Sequence, residues 1–233
     1  MTNVIRIDLM RKFELKTFQF SQSYLFFWDK FEKANCKEIV VGNLLTVDFL
    51  ESMIELADRD LDDRVVQHLL KDPVSDGGQY DMLNNLLNKY GLLPQYLYPD
   101  SFNASMSGMI NRLVTSKLRE FTIILRVVAA NERAAEKSKM VQEIYGILVT
   151  ALGRPPKPQE EFTWEYVDKD EVFHSVKTNA LDFYKMSGYD INDQLSLMND
   201  PRHEYGKKYT IDRLGNVRGG RVWNGIFELT GSV

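Results

Sequence analysis

Apolar residues recur at helical spacing along most of the chain. In residues 49–57 and 65–70 they fall at i, i+1, i+4 and i+5, which places them on one face of a helix. The same period returns in residues 82–90, 105–128 and 134–152. The pattern predicts a helix in each segment, and the last two are expected to form a long helical hairpin.

Capping residues mark several ends of these helices. Ser21 is a predicted N-cap, because Phe20 before it and Leu25 after it have the spacing of a hydrophobic staple. Gly91 and Gly153 each follow the last apolar position of a periodic segment, as helix-ending glycines do. A helix is therefore expected to begin just after Ser21, and two others to end at these glycines.

The first residues predict one more helix. Its apolar residues share one broad face, which consists of Val4, Ile5, Ile7 and Leu9. The charged residues Arg6, Asp8 and Arg11 point away from that face. The same stretch is basic and roughly amphipathic, so a mitochondrial presequence is the alternative to a core helix.

After the proline-rich loop 154–158 the period changes. Phe162, Trp164 and Tyr166 alternate with polar residues, which indicates a half-buried strand followed by a turn at 168–170. A short helix is predicted at 180–186, and further strands at 194–198 and 207–212. The chain is thus expected to be α+β and weighted toward helix.

Composition narrows the class of protein. The chain has 233 residues, 44% of them hydrophobic, and a net charge of -4, so no basic field favours nucleic acid. A single cysteine fits a reducing compartment. No apolar run is long enough to cross a membrane, and charged residues stand where a signal peptide is apolar. We expect a cytoplasmic location, with a mitochondrial form as the alternative.

Four segments of the chain carry long, specific motifs. They are KFELKTFQFSQSYLFFWDK at 12–30, DPVSDGGQYDMLNNLLNKYGLLP at 72–94, FTWEYVDKD at 162–170 and NDPRHEYGKKYTIDRLGN at 199–216. These segments resemble the bleomycin hydrolase family of papain-like cysteine aminopeptidases. The resemblance covers most of the chain in order. It implies peptide substrates and a homohexamer, and no cofactor.

The resemblance also implies a papain-like α+β fold, of which this chain holds mainly the helical left half. Residues 1–103 are expected to form a helical portion, 104–158 a helical hairpin insertion, and 159–233 an incomplete β-containing region. Two segments do not resemble the family, CKEIVVGNLLTVD at 36–48 and the tail at 221–233. We expect both to be foreign sequence from an incomplete gene model.

A cysteine peptidase needs a thiolate at a helix N-terminus, a histidine and an orienting amide. The resemblance implies that the nucleophile precedes Met1 and that the histidine and asparagine follow Val233, so the chain as written is expected to be inactive. Cys36 lacks a neighbouring tryptophan and is expected to be a packing residue.

The three histidines offer no replacement for the missing base. His68 lies beside a buried stripe and is expected to be structural or at the surface. His174 and His203 are expected in loops, without a partner at a suitable spacing.

Gly77 and Gly78 are the candidate substrate-binding residues. The resemblance places them where a papain-like cleft receives the peptide backbone as an added strand, and a side chain there would block the approach. A purely conformational role is equally open, because glycine is the default for positive φ and Asp76 can close such a turn through an Asx bond.

A metal site is rejected. Asp58, Asp60 and Asp62 begin like a calcium loop, yet Asp63 stands where that loop needs glycine and Leu69 where it needs glutamate. The carboxylates are expected to be solvated and to favour the start of the next helix.

Two functions remain open. The first is a fragment of a cysteine aminopeptidase, which hydrolyses amides through a cysteine thioester. The alternative is a non-catalytic interaction or oligomerisation module, in which exposed apolar surface binds a partner.

Overall fold

The computed structural model describes residues 2–35, 49–74, Gly77 and 80–189. Its helices are α1 Thr2–Lys12, α2 Gln22–Asn35, α3 Phe49–Glu55, α4 Arg64–Lys71, α5 Tyr80–Tyr90, α6 Phe102–Ser105, α7 Gly108–Val127, α8 Arg133–Leu152 and α9 Ala180–Met186, with a 3-10 turn at Gln95–Leu97. The strands β1 Phe162–Val167 and β2 Phe173–Thr178 form an antiparallel pair. No helix in these described ranges is long and apolar enough to cross a membrane.

The predicted helix ends are confirmed. The Ser21 hydroxyl accepts a hydrogen bond from the Tyr24 backbone N–H at 3.0 Å, as an N-cap does at the third helical position. Gly91 and Gly153 have φ of +71° and +88°, and their N–H groups donate to the last turns of α5 and α8. Because the turn chemistry is local, it could be recognised without knowledge of the tertiary structure.

Helix α2 lies at the centre of the helical part. Among residues 22–34 only Gln22 is exposed, and the rest are buried or half-buried. The helix packs against α3, α5 and α8, and α3 in turn packs against α7 of the helical hairpin. A helix buried on nearly all sides is expected to set the positions of the elements around it.

The buried apolar face of α1 is narrower than predicted. Ile5 and Leu9 are 1% and 0% exposed, whereas Val4 and Ile7 are 51% and 44% exposed. The prediction of one broad apolar face is therefore wrong, because only the i, i+4 pair reaches the core.

The β-hairpin packs on the end of α1 through aromatic rings. Trp164 is 1% exposed, and its ring lies 5.0 Å from Phe13 and 4.9 Å from Phe183, both edge-to-face. The predicted strand at Phe162 and the turn at 168–170 are confirmed, since Asp168 accepts from the N–H groups of Asp170 and Val172. The predicted strands at 194–198 and 207–212 lie outside the described residues.

Strand β2 is missing from the prediction. Its register pairs Trp164 with Val176 and Tyr166 with His174, so the alternate residues of β2 face inward with β1. Phe173, however, is 61% exposed on the outward face. An apolar residue at an outward position removes the alternation that would have indicated a strand.

Candidate substrate-binding loop

The segment between α4 and α5 carries the candidate glycines, and α2 provides its support. Helix α2 is fixed to α5 by the Tyr24 hydroxyl, which donates to the Tyr90 carbonyl at 2.9 Å. The rings of Trp28 and Tyr90 are stacked, 4.0 Å between centroids and 11° between planes. Lys89 donates to Glu32 at 2.7 Å, and the Tyr90 hydroxyl bonds the same carboxylate. The two helices therefore form one well-connected unit.

Two lysines of α2 hold the backbone of this segment. The Lys30 ammonium donates to the Val74 carbonyl at 2.7 Å, and the Lys33 ammonium to the Gly77 carbonyl at 2.8 Å. Lys33 also forms an ion pair with Asp29 at 2.6 Å, one helical turn earlier. Both lysines are buried, with exposures of 1% and 3%. The chain is thus attached to α2 at two points before it reaches α5.

Gly77 is exposed to solvent, and its carbonyl accepts the hydrogen bond from Lys33 of α2. Gly78, the second candidate residue, and Asp76, the candidate for an Asx bond, lie outside the described residues. The predicted binding role of the two glycines is therefore neither confirmed nor contradicted.

His174 does not lie in a loop. It is on β2, and its Nε2 atom lies 2.7 Å from Oδ2 of Asp168, with the Tyr166 ring stacked 4.8 Å away. The hydrogen bond from His174, together with the backbone N–H groups of Val172 and Asp170, lowers the pKa of Asp168. The prediction of a loop histidine without a partner is wrong, because the hairpin turn returns β2 to the carboxylate that closes that turn.

The other candidate residues stay apart from the glycine segment. His68 is exposed on α4, in agreement with its interpretation as a surface residue. Cys36 and His203 lie outside the described residues. Asp168 already accepts two backbone N–H groups of its turn, so the His174–Asp168 pair is explained as a structural element of the hairpin.

The acidic stretch before α4 is exposed at Asp58, Asp60 and Asp62. Asp63, the residue that follows, is the N-cap of α4 and accepts from Val65 N at 2.8 Å and Val66 N at 3.3 Å. These N–H groups hold the pKa of the Asp63 carboxyl below its usual value. Within the described part of the chain, no group of three metal-ligating side chains comes together.

Two surface clefts lie elsewhere among the described residues, and Gly77 lines neither of them. One, of about 990 Å³, lies between residues 15–19, residues 94–96 and strand β1. The other, of about 830 Å³, lies between α4 and α7, where His68 and Arg119 are among its lining residues. Gly77 is therefore an exposed residue outside both clefts.

Sequence reasoning missed the two buried lysines. In FFWDKFEK they resemble the polar face of an amphipathic helix, and that interpretation is the usual one for lysine. One available signal was the aromatic density around them, which leaves α2 without a polar side wide enough to face solvent.

Comparison with known proteins agrees with this architecture. The Peptidase C1-like family matches residues 1–226. The mitochondrial cysteine proteinase 1 of Saccharomyces cerevisiae is 45% identical, over 94% of this chain and 45% of its own length. Bleomycin hydrolase of Rattus norvegicus is 39% identical, over 94% of this chain and 48% of its own length.

A solved structure shows the same fold. The crystal structure of PepW from Lactobacillus rhamnosis HN001 aligns with a TM-score of 0.82 and 37% identity, over 94% of this chain and 48% of its own. The predicted α+β papain-like fold class is confirmed. The chain spans about half the length of the curated relatives it matches. It belongs to the Peptidase C1-like family, as a bleomycin hydrolase-like cysteine peptidase sequence.

Proposed function

We propose that this chain forms the helical part of a bleomycin hydrolase-like cysteine aminopeptidase. The complete enzyme removes N-terminal residues from peptides and hydrolyses amides through a cysteine thioester. The observation that carries the proposal is the match to bleomycin hydrolases and to the yeast cysteine proteinase over 94% of this chain.

Within that enzyme the chain supplies one wall of the substrate cleft. Gly77 and Gly78 receive the backbone of an extended peptide as an added strand, in which main-chain hydrogen bonds provide the affinity. The exposure of Gly77 and the anchoring of its carbonyl by Lys33 support this role. A backbone held in one conformation binds a peptide with a smaller loss of conformational entropy.

The chemistry requires groups that we assign to residues beyond this chain. A cysteine thiolate attacks the amide carbonyl carbon, a histidine gives its proton to the departing amine, and water then hydrolyses the thioester. Loss of the nucleophile or its base lowers the rate of a comparable triad on the order of a million-fold. The chain alone is therefore expected to be inactive.

The genomic reading frame tests this proposal. We expect the bases just upstream of Met1 to encode an in-frame Cys-Trp pair, and protein expressed from the longer frame to cleave fluorogenic aminoacyl amides. Iodoacetamide should abolish that cleavage. A longer protein that lacks thiol-dependent cleavage would reject the proposed activity.

A second role is self-association through the outer face of α7. Residues Met109, Leu113, Ile123 and Val127 are between 51% and 79% exposed and share one side of the helix. The opposite side, which includes Leu118 and Leu125, is buried against the body of the protein. Exposed apolar stripes of this kind are typical of contact surfaces. We propose that this stripe is a contact between copies in a homo-oligomer.

Paired charge substitutions test the contact. Leu113→Glu with Val127→Glu should lower the mass measured by light scattering, because two carboxylates would be buried in the interface. Ser138→Glu with Gln142→Glu is the matched control, since both residues are exposed on α8. A wild-type monomer, or equal masses for the two double variants, would reject the stripe as the contact.

For localisation we propose the cytoplasm, with a mitochondrial form. The name of the yeast relative supports the mitochondrial form, and the single cysteine supports a reducing compartment.

A further inference from the structure

Arg6 on α1 is a half-buried arginine without a counter-ion. Its Nε atom is buried and has no hydrogen-bond partner. Among the described residues its guanidinium forms no ion pair or ring contact either. Arginine remains charged at neutral pH, and a charge shielded from water is costly unless an anion or oxygen atoms compensate it. The surroundings of Arg6 therefore lack the group that would compensate its burial.

Arg6 lines the cleft of about 990 Å³ that lies between residues 15–19, residues 94–96 and strand β1. Three carboxylates line the same cleft without serving Arg6. Asp168 is bonded within the hairpin, and Glu171 pairs with Lys16 at 3.3 Å. Glu165 is exposed, and no ion pair joins it to Arg6 in the described part of the chain. Because Glu165 and Glu171 face solvent, water screens their repulsion of an anionic ligand group.

The outer edge of β1 forms one wall of this cleft. Backbone groups of successive residues alternate between the two sides of a strand. The Asp168 N–H donates to the Val172 carbonyl across the hairpin at 3.1 Å. The Thr163 carbonyl instead accepts from the Tyr96 hydroxyl, also at 3.1 Å. Even-numbered residues of this strand therefore point to β2, and odd-numbered residues point to the cleft.

Two backbone groups of this edge are unpaired. The bridge at Leu15 closes one end of the edge, and the Tyr96 hydroxyl closes the other. Between them, the Glu165 carbonyl and the Val167 N–H form no hydrogen bond within the described ranges. An unpaired strand edge can accept an extended peptide as an added strand.

We propose that this cleft binds an extended peptide that carries a carboxylate side chain. The Arg6 guanidinium pairs with the carboxylate, and the Glu165 carbonyl and Val167 N–H bond the peptide backbone. Met10 and Phe18, which also line the cleft, contact the apolar side chains of the peptide. The site does not include the glycine segment and goes beyond the proposed function.

Peptide analogues test each contact on the wild-type chain. The probe is acetyl-Val-Glu-Val-Thr-amide, and one analogue replaces its glutamate with glutamine. Two further analogues carry N-methyl groups on alternate residues, one in each register. Each peptide is titrated into the ¹⁵N-labelled 233-residue chain, and NMR follows the amide signals of Glu165, Val167 and Gly77.

We expect the probe to shift the signals of Glu165 and Val167. The glutamine analogue should have a Kd about tenfold higher, because it loses a charge-assisted hydrogen bond. Only one of the two N-methyl analogues should lose binding, since only alternate N–H groups of an added strand face β1. Equal Kd values for the glutamate and glutamine peptides, or equal losses for the two N-methyl analogues, would overturn the proposal.

A pair of arginine variants tests the counter-ion. Arg6→Gln should abolish the difference in Kd between the glutamate and glutamine peptides. Arg11→Gln is the matched control, because Arg11 is exposed on the same helix and does not line the cleft. It should leave the difference intact. The same difference in both variants, no binding to the wild-type chain, or shifts at Gly77 in place of β1 would reject the site. If Arg6→Gln does not fold, the peptide analogues decide.

Discussion

At the scale of single residues, two helical-region glycines respond to a side chain in opposite ways. Gly91 has φ of +71°, and a Cβ there would lie 2.1 Å from the Ala180 carbonyl oxygen. Gly146 lies within α8, and apart from its chain neighbours and the adjacent turns of the helix backbone no atom stands within 4 Å of the corresponding position. The first glycine is required by geometry, whereas the second only weakens a helix.

Alanine at each position should separate these cases. Gly91→Ala is expected to lower the free energy of unfolding by more than about 2 kcal/mol, from the left-handed backbone and the clash together. Gly146→Ala should raise it by up to about 1 kcal/mol through helix propensity. Urea denaturation measures both, and equal effects would contradict the backbone geometry at Gly91.

The N-cap Asp63 predicts how the folding stability of the chain changes with pH. Its pKa is lowered in the folded chain by the N–H groups of Val65 and Val66, so the unfolded chain binds more protons in the acid range. Stability from Asp63 is therefore complete above the usual aspartate pKa and is lost as pH falls through the lowered value. An asparagine side chain at this position would still cap α4 but does not titrate.

The comparison is between wild type and Asp63→Asn. From about pH 5 to about pH 3, wild type should lose more unfolding free energy than the variant. Other carboxylates with lowered pKa values, such as Asp168, are present in both proteins and cancel in the difference. If the unfolding free energies of the two proteins changed in parallel with pH, protonation of Asp63 would not be linked to folding.

At the scale of elements, Tyr98 connects the helical hairpin to the rest of the fold. Its single hydroxyl proton is shared between the carbonyls of Leu152 and Gly153, at 2.8 and 3.0 Å from the hydroxyl oxygen, at the C-terminus of α8. Burial raises the pKa of Tyr98 to about 12, so the phenol remains a donor at neutral pH. The backbone of the same residue accepts a hydrogen bond from Ser21, the N-cap of α2.

Loss of this hydroxyl should weaken the attachment of α8. Tyr98→Phe is expected to lower the free energy of unfolding by about 1 kcal/mol or more, because it leaves the carbonyl of the buried Leu152 without its donor. Tyr96→Phe is the control, since Tyr96 is 57% exposed and water can replace its bond to Thr163. Equal losses in the two variants would contradict a special role for the buried hydroxyl.

Whether an element could be predicted from the sequence depended on whether its contacts are local or tertiary. Ser21, Gly91 and Gly153 were recognisable from the sequence, because caps and helix-ending glycines depend on neighbours along the chain. Strand β2 was not, since its outward Phe173 conceals the alternation and its pairing with β1 is a tertiary contact. The buried Lys30 and Lys33 fall in the same category, because each acceptor lies 44 residues along the chain from its lysine.

At the scale of the whole molecule, the resemblance of the sequence segments to a known family predicted more of the fold than hydrophobic periodicity did. The pattern along the chain indicated helices and a few strands, but the papain-like fold class came from motifs such as DGGQYDMLNNLLNKYGLLP, and the structural match to PepW confirms it. The proposed role of Gly77 depends on a peptide that would dock against it, and a pattern of residues along one chain contains no such partner.

The central claim is that these residues supply a wall of a peptidase cleft and leave the reacting groups to the rest of a longer protein. Its most direct test is the rate at which the purified 233-residue chain cleaves a fluorogenic aminoacyl amide, beside a Cys36→Ser variant. We predict that both proteins release fluorophore at the rate of buffer alone. Cleavage by the wild-type chain that iodoacetamide blocks and Cys36→Ser abolishes would contradict the account.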